Sequence, residues 1–293
     1  MTSLEDVRIC VEKTHQSLVG YQLAEFAKSS QLRVYLFILQ SLVAVPAALS
    51  VVIVDDTWLY SLAILGAVLL VAWWVVSLLY EKSREAAQTA RRASLLSGAL
   101  GETFSAYELM ELRQRFTVTE AQANAYENPE YYATQQKPGA HRLAEMLEES
   151  AFFTSNLQSF SSKVMGFILI AFVVVAGGLA LTLGINLDRS SSITFVRIVL
   201  SAFVFAMSSD VFGAFLKHLS AAARTEAIKS RLATLQQRDA SLIDVLLVMT
   251  DYNSAVESAP ESVPFAFRLR EAKLNARWAE YVADKATSNA FKE

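Results

Sequence analysis

Two apolar arms joined by a short polar turn, Lys163 to Leu216, constrain this chain more than any other feature. The first arm reads KVMGFILIAFVVVAGGLALTLGINL, the turn DRSSS, and the second ITFVRIVLSAFVFAMSSDVFGAFL. Each arm offers about 20 mostly apolar residues, enough to cross a hydrocarbon core of about 30 Å as a helix. A second pair lies upstream. Val34 to Val54 is one apolar segment, with Pro46 inside it and expected to kink it. Thr57 to Tyr80 is the other, with Trp58 and Tyr60 near one end and Tyr80 at the far end, where interfacial aromatic belts sit. Asp55 and Asp56 form the turn between them.

Composition agrees with spans joined to sizeable water-soluble segments. The chain is 53% hydrophobic, yet 19% of it is charged. A net charge of −3 gives no basic field for DNA or RNA. The single cysteine, Cys10, excludes an internal disulfide and a cysteine-cluster metal site. The first 30 residues lack the basic, apolar and small-residue regions of a secretory signal, so the spans are expected to act as their own insertion signals.

Basic residues set the expected orientation. Lys28 and Arg33 precede the first span; Lys82, Arg84, Arg91 and Arg92 follow the second. Lys163 precedes the third; Lys217, Arg224, Lys229 and Arg231 follow the fourth. The first turn has no basic residue and the second only Arg189, so both termini are expected in the cytoplasm. The expected fold is an all-α integral membrane protein with four transmembrane helices in two hairpins, and long helices that extend into a cytosolic helical domain. The divisions are an N-terminal cytosolic helix (1–32), a first transmembrane hairpin (33–80), a central cytosolic segment (81–162), a second hairpin (163–216) and a C-terminal cytosolic segment (217–293).

Within the soluble segments, residues 81–96 read as a helical continuation of the second span, followed by a break at Gly98 and Gly101. Tyr107 to Phe116 is a helical patch, and Asn128 to Gly139 a loop with two prolines. From Ala140 a helix resumes with no breaker before Met165, so the third span is expected to be the membrane end of one long helix. After Lys217 the helix is expected to run on to about Ala259. Ile228, Leu232, Leu235, Asp239, Leu242, Leu246 and Met249 form a heptad seam along it, which either packs on the central segment or joins subunits as a coiled coil. Beyond Pro260 and Pro264, Phe265 to Ala286 reads as an amphipathic helix.

Catalytic chemistry has little to stand on. No phosphate-binding loop, zinc-protease motif, nucleophile elbow or dinucleotide fingerprint occurs. His15, His141 and His218 are far apart in sequence, and the adjacent carboxylates Glu148 and Glu149 would point in different directions on a helix. No catalytic residue, metal site or cofactor is expected. The polar residues of the fourth span stand out instead: Arg197, Ser201, Ser208 and Asp210. Arg197 and Asp210 are about 20 Å apart along a helix and about 140° apart around it, so they cannot pair. Arg197 can snorkel to the outer interface. Asp210 cannot reach far and is expected to face another helix or a water-filled path, which makes it the stronger pore candidate.

Two local sets of residues carry a resemblance. One is Tyr131-Tyr132, Pro138-Gly139, Arg142-Leu143 and Glu149-Ser150-Ala151-Phe152. The other is Asp251-Tyr252-Asn253, Pro260, Pro264, Leu274-Asn275 and Trp278. With the two hairpins they resemble the SMODS-associating four-transmembrane effectors, pore-forming proteins of bacterial anti-phage systems such as CBASS. The resemblance implies an inner-membrane effector that answers a cyclic oligonucleotide, made by a neighbouring nucleotidyltransferase, by damaging the membrane. Growth arrest or death would follow. Homo-oligomerisation and contact with the bilayer follow from the same reading. Stacking and phosphate contacts would then fall to Tyr131, Tyr132, Lys137, His141 and Arg142, with Tyr252, Asn253, Arg268 and Arg270 as a second set. The alternative is a membrane scaffold or channel gated by a protein partner docked on the heptad seam.

Overall fold

Few prolines and glycines interrupt the chain, and long stretches are rich in alanine, leucine, glutamate and arginine, so helices dominate. The computed structural model describes residues 4–50, 53, 55–129, 131–184, 211–238 and 241–290, and among these no strand occurs. The helices are α1 (Leu4–Leu49), α2 (Asp56–Leu100), α3 (Ala106–Arg115), α4 (Glu120–Asn124), α5 (Ala140–Gly184), α6 (Val211–Gln236), α7 (Leu242–Ser258) and α8 (Ala266–Ala290). Pro46 lies inside α1, which ends three residues later at Leu49. Asp55 opens α2: its carboxylate accepts from the Trp58 N–H at 3.0 Å, and its carbonyl from Leu59. As expected, α5 is one helix from the soluble segment into the apolar one.

The chain divides into two compact units. One comprises Met1–Lys28, Lys82–Ser161 and Lys217–Glu293; the other comprises Ser29–Glu81 and Ser162–Leu216. In the second unit the large apolar side chains face outward. Phe37, Leu65, Val68, Leu70, Trp74, Phe167, Ile170 and Val174 are all exposed. Two helices among the described residues, Asp56–Leu100 and Ala140–Val175, are long and apolar enough to cross a membrane. No residue of the 18-residue apolar window of α2 is buried, unlike the core helix of a water-soluble protein.

The first unit has a conventional interior. Leu95 and Ala99 of α2 meet Leu143, Met146, Leu147 and Ala151 of α5, Ile228 and Leu232 of α6, and Val245, Val248, Met249 and Tyr252 of α7. A second patch joins Leu18 of α1, Ala93 of α2 and Leu112 of α3. α1 and α2 run antiparallel here, since Glu25 meets Ser83 while Gln22 meets Ser94. α8 runs antiparallel to α5. Val263, just before α8, donates to Ser161 Oγ at 3.0 Å, Arg277 to Asn156 at 3.0 Å, and Lys285 to Glu148 at 2.6 Å.

Two expectations need correction. The helix after Lys217 does not continue to Ala259. It stops at Gln236, and α7 starts afresh behind Ser241. Ser241 and Asp244 form a reciprocal capping box, the Ser-x-x-Asp signature of a helix start. Arg231 and Asp251 lie 2.8 Å apart, although 20 residues of straight helix would separate them by about 30 Å. The chain therefore folds back as a helical hairpin, and no heptad seam runs through it. Ile228, Leu232 and Met249 point into the core, while Leu242 is exposed; Asp239 lies outside the described residues. Nor does Gly98 break α2. It lets α1 approach, since a Cβ there would sit 2.4 Å from His15 Cε1. Gly101 alone ends the helix, at φ 68°, with its N–H returning to the Ser97 carbonyl. On α5 the buried face runs through Leu143, Leu147 and Ala151 and turns polar at Ser155, Gln158, Ser161 and Ser162.

Candidate functional site

The tyrosines of the central loop and of α7 converge on α2. Arg91 is buried, with its guanidinium carbon 5.1 Å from the Tyr252 ring centroid. It donates to Asn253 Oδ1 at 3.2 Å and lies 4.0 Å from Glu257 Oε1. Tyr252 is buried too, its hydroxyl 3.2 Å from Thr154 Oγ1. From the loop, Tyr131 accepts a hydrogen bond from Gln22 Nε2 at 3.0 Å, and Gln22 Oε1 accepts from Ser94 Oγ at 2.7 Å. Tyr132 meets Tyr131 edge to face at 4.8 Å and stacks near His15 at 6.2 Å. Both residues are half-buried, and the Tyr131 hydroxyl points inward to Gln22.

Burial governs the electrostatics of this cluster. It raises Tyr131 to about 12, helped by the neighbouring Tyr252 and opposed by Arg91. Tyr132 is pushed well up by burial, with Tyr131 adding to the shift. His15 is pushed down, first by burial. Burial also lifts Glu149 to about 7, against the Ala133 N–H that donates to it at 3.2 Å. The two tyrosines and His15 are neutral near pH 7, where Glu149 is about half ionised. Arg91 is the cation at the centre, with Glu257 as counter-ion.

The expected contact residues thus separate. Tyr131, Tyr132, Tyr252 and Asn253 come together around Arg91. Lys137 and His141 are exposed at the loop and at the start of α5, and Arg142 donates to the Gln136 carbonyl at 3.4 Å. Arg268 and Arg270 lie at the start of α8, where Arg270 covers the Phe160 ring at 5.0 Å. Arg197, Ser201, Ser208 and Asp210 lie outside the described residues. Glu148 and Glu149 point apart, as helical geometry requires. Glu148 is buried and accepts from Lys285 at 2.6 Å, from Gln236 at 3.0 Å and from the Tyr281 hydroxyl.

A cavity of about 410 Å³ opens between α1, α3 and α4. Lys13 and Arg113 supply positive charge, Glu120 and Glu127 oppose it, and Tyr21 and Phe116 stack at 4.3 Å along its wall. Its volume suits a small organic molecule. None of these residues was among the expected contacts. The string Arg113-Gln-Arg-Phe116, basic and aromatic at a helix end, was the available signal. Arg91 and Gln22 had none, because each sits mid-helix and acquires its partners from distant segments. No family model, curated protein or solved structure matches the chain.

Proposed function

We propose that this chain is a four-span bacterial inner-membrane effector of anti-phage defence, with both termini cytoplasmic, that assembles or opens a pore in answer to a cyclic nucleotide. One observation carries the membrane part of this reading: the apolar window of α2 is wholly unburied. The defence role is supported by the resemblance to the four-transmembrane effectors. In this reading the second hairpin lines the conducting path, with Asp210 facing it, and the subunits form a homo-oligomer. A ligand acts by favouring the open arrangement, to which it must bind more tightly. The Arg91–tyrosine cluster and the cavity at Lys13 and Arg113 are its candidate receptors. Arg91 already holds Asn253 and lies against the Tyr252 ring, and that favours a second reading, a membrane protein gated by a protein partner.

Calorimetry of the detergent-solubilised chain against a panel of cyclic di- and trinucleotides separates the two. Heat with one of them, lost in Lys13→Ala/Arg113→Ala, supports the nucleotide; no heat with any supports the partner. A potential-sensitive dye in expressing cells tests the pore. Depolarisation in the wild type, absent from an equally expressed Asp210→Ala variant, is the expected result. An unchanged membrane potential after activation would sink the pore.

A further inference from the structure

The chain entering α8 is unusual. Phe265 adopts φ 64°, a left-handed conformation that a bulky residue rarely holds, and its ring is 62% exposed. Phe267 and Leu269 are exposed in the next turn, Leu269 by 73%. Three exposed apolar side chains within five residues make no contribution to the core. Basic residues accompany them on the same helix: Arg268 and Lys273 are exposed, and Arg270 lies beside Phe160. Two carboxylates, Glu261 and Glu271, offset only part of this charge.

Position gives the patch its meaning. Val263 donates to Ser161 Oγ, and Gln158 Nε2 donates to the Pro260 carbonyl at 2.9 Å. Arg84 of α2 donates to the carbonyls of Glu257, at 3.1 Å, and Ala259. The α7–α8 link is thus tied to α5 and α2 at the residues where each changes from polar to apolar sequence. Along α5, Phe167 is the first large exposed apolar residue, six positions past Ser161, or about 9 Å of helix. Aromatic side chains beside arginine and lysine at that depth match the interface of an anionic bilayer.

We propose that the first turns of α8 are a surface anchor that docks on anionic phospholipid, with Phe265, Phe267 and Leu269 in the headgroup layer and Arg268 and Lys273 against the phosphates. The anchor rests on the reading of α5 as a membrane span. It ties the sensor-bearing unit to the bilayer at a third point beside α2 and α5.

The test uses the full chain with Cys10→Ser, carrying single cysteines labelled with a bimane fluorophore. The protein is reconstituted in phosphatidylcholine vesicles with or without phosphatidylglycerol, containing lipids with a headgroup or acyl-chain nitroxide quencher. Leu269→Cys is expected to be quenched at least about twofold more strongly by the headgroup nitroxide when phosphatidylglycerol is present. Arg268→Glu with Lys273→Glu should abolish that gain. Ile243→Cys is the soluble control. Ile243 is 77% exposed but lies at the opposite end of the α6–α7 hairpin, about 30 Å along α6 from Lys217. Val173→Cys, in the apolar half of α5, should be quenched by the acyl-chain nitroxide. Quenching at Val173 without quenching at Leu269 overturns the anchor and leaves the span intact. Equal quenching at Ile243 and Leu269 overturns it as non-specific adhesion. No quenching at Val173 removes the span and the anchor together.

Discussion

The two halves of α2 are one helix built for two solvents. From Thr57 to Tyr80 the large side chains (Trp58, Leu65, Val68, Val71, Trp74, Leu78) are exposed. From Ser83 to Ala99 the residues turned inward are mostly alanine and serine, with Gln88, Thr89, Gly98, a single leucine (Leu95) and a single arginine (Arg91). Hydrophobicity alone would assign the interior to the first half. Small size and a paired polar group are what qualify a residue for the interior of the second, because α1, α5 and α7 crowd against it. The lesson is that apolar bulk outside and polar contact inside are complementary features of one helix; under the proposed membrane reading they mark where the chain meets lipid and where it meets other helices.

The strongest way to break this comparison is to empty the polar interior. Glu25 is fully buried and accepts from Ser83 Oγ at 2.7 Å, Thr117 Oγ1 at 2.7 Å, the Val118 N–H at 2.9 Å and the Thr117 N–H. Glu25→Ala leaves those donors without their acceptor and should cost about 4 kcal/mol. Urea unfolding of the detergent-solubilised protein measures it. A loss below about 1 kcal/mol would mean that apolar packing, not this network, secures α1.

The apolar half is challenged from the other side. Val68 is 60% exposed, so in water Val68→Arg would be nearly neutral. At the centre of a span it should cost about 3 kcal/mol and reduce the membrane-inserted fraction. Ile243→Arg, at a more exposed site on α7, should leave insertion unchanged. Equal insertion of both variants would remove the distinction between the two halves of α2.

Legibility in the sequence follows the same division. The apolar segments, the loop at 128–139 and the continuity of α5 could be read because each depends on local composition. The fold-back between α6 and α7 was hidden by a heptad pattern that Ser241 and Asp244 interrupt, since regular spacing of Leu232, Leu242 and Met249 looks the same in a straight helix as in two short ones. Tyr131 and Tyr132 drew notice as a pair, but Arg91, Gln22 and Glu25 acquire their roles only from hydrogen-bond and ion-pair partners 58 to 166 residues away. Such pairings have no period and leave no local mark.

Gly20 shows how closely the soluble helices approach. It lies mid-helix, where glycine is normally unfavourable, and a Cβ there would come within 2.5 Å of the Ala123 carbonyl oxygen of α4. Gly20→Ala should gain helix propensity yet lose about 2 kcal/mol net, because α4 must move. Gly66 in the apolar half of α2 has nothing within 4 Å, so Gly66→Ala should be neutral or stabilising. Equal responses at the two glycines, read as thermal midpoints, would contradict the tight packing of the first unit.

The smallest expected effect concerns pH. Burial raises Glu149 from 4.5 to about 7. Between those values the folded state binds the proton and the unfolded state has released it, so stability falls as pH rises through this window. Below about 4.5 both states are protonated and the group contributes no slope. Above about 7 both are ionised and the penalty of a charged, half-buried carboxylate is complete. Partial solvent contact reduces that penalty to about 1–2 kcal/mol. Glu149→Gln keeps an acceptor for the Ala133 N–H and removes the proton linkage. The variant should therefore match the wild type near pH 4.5, exceed it in stability at pH 8, and show a flatter profile between. Parallel wild-type and Glu149→Gln profiles from pH 4.5 to 8 would mean that Glu149 has the same pKa folded and unfolded, and would place it in water.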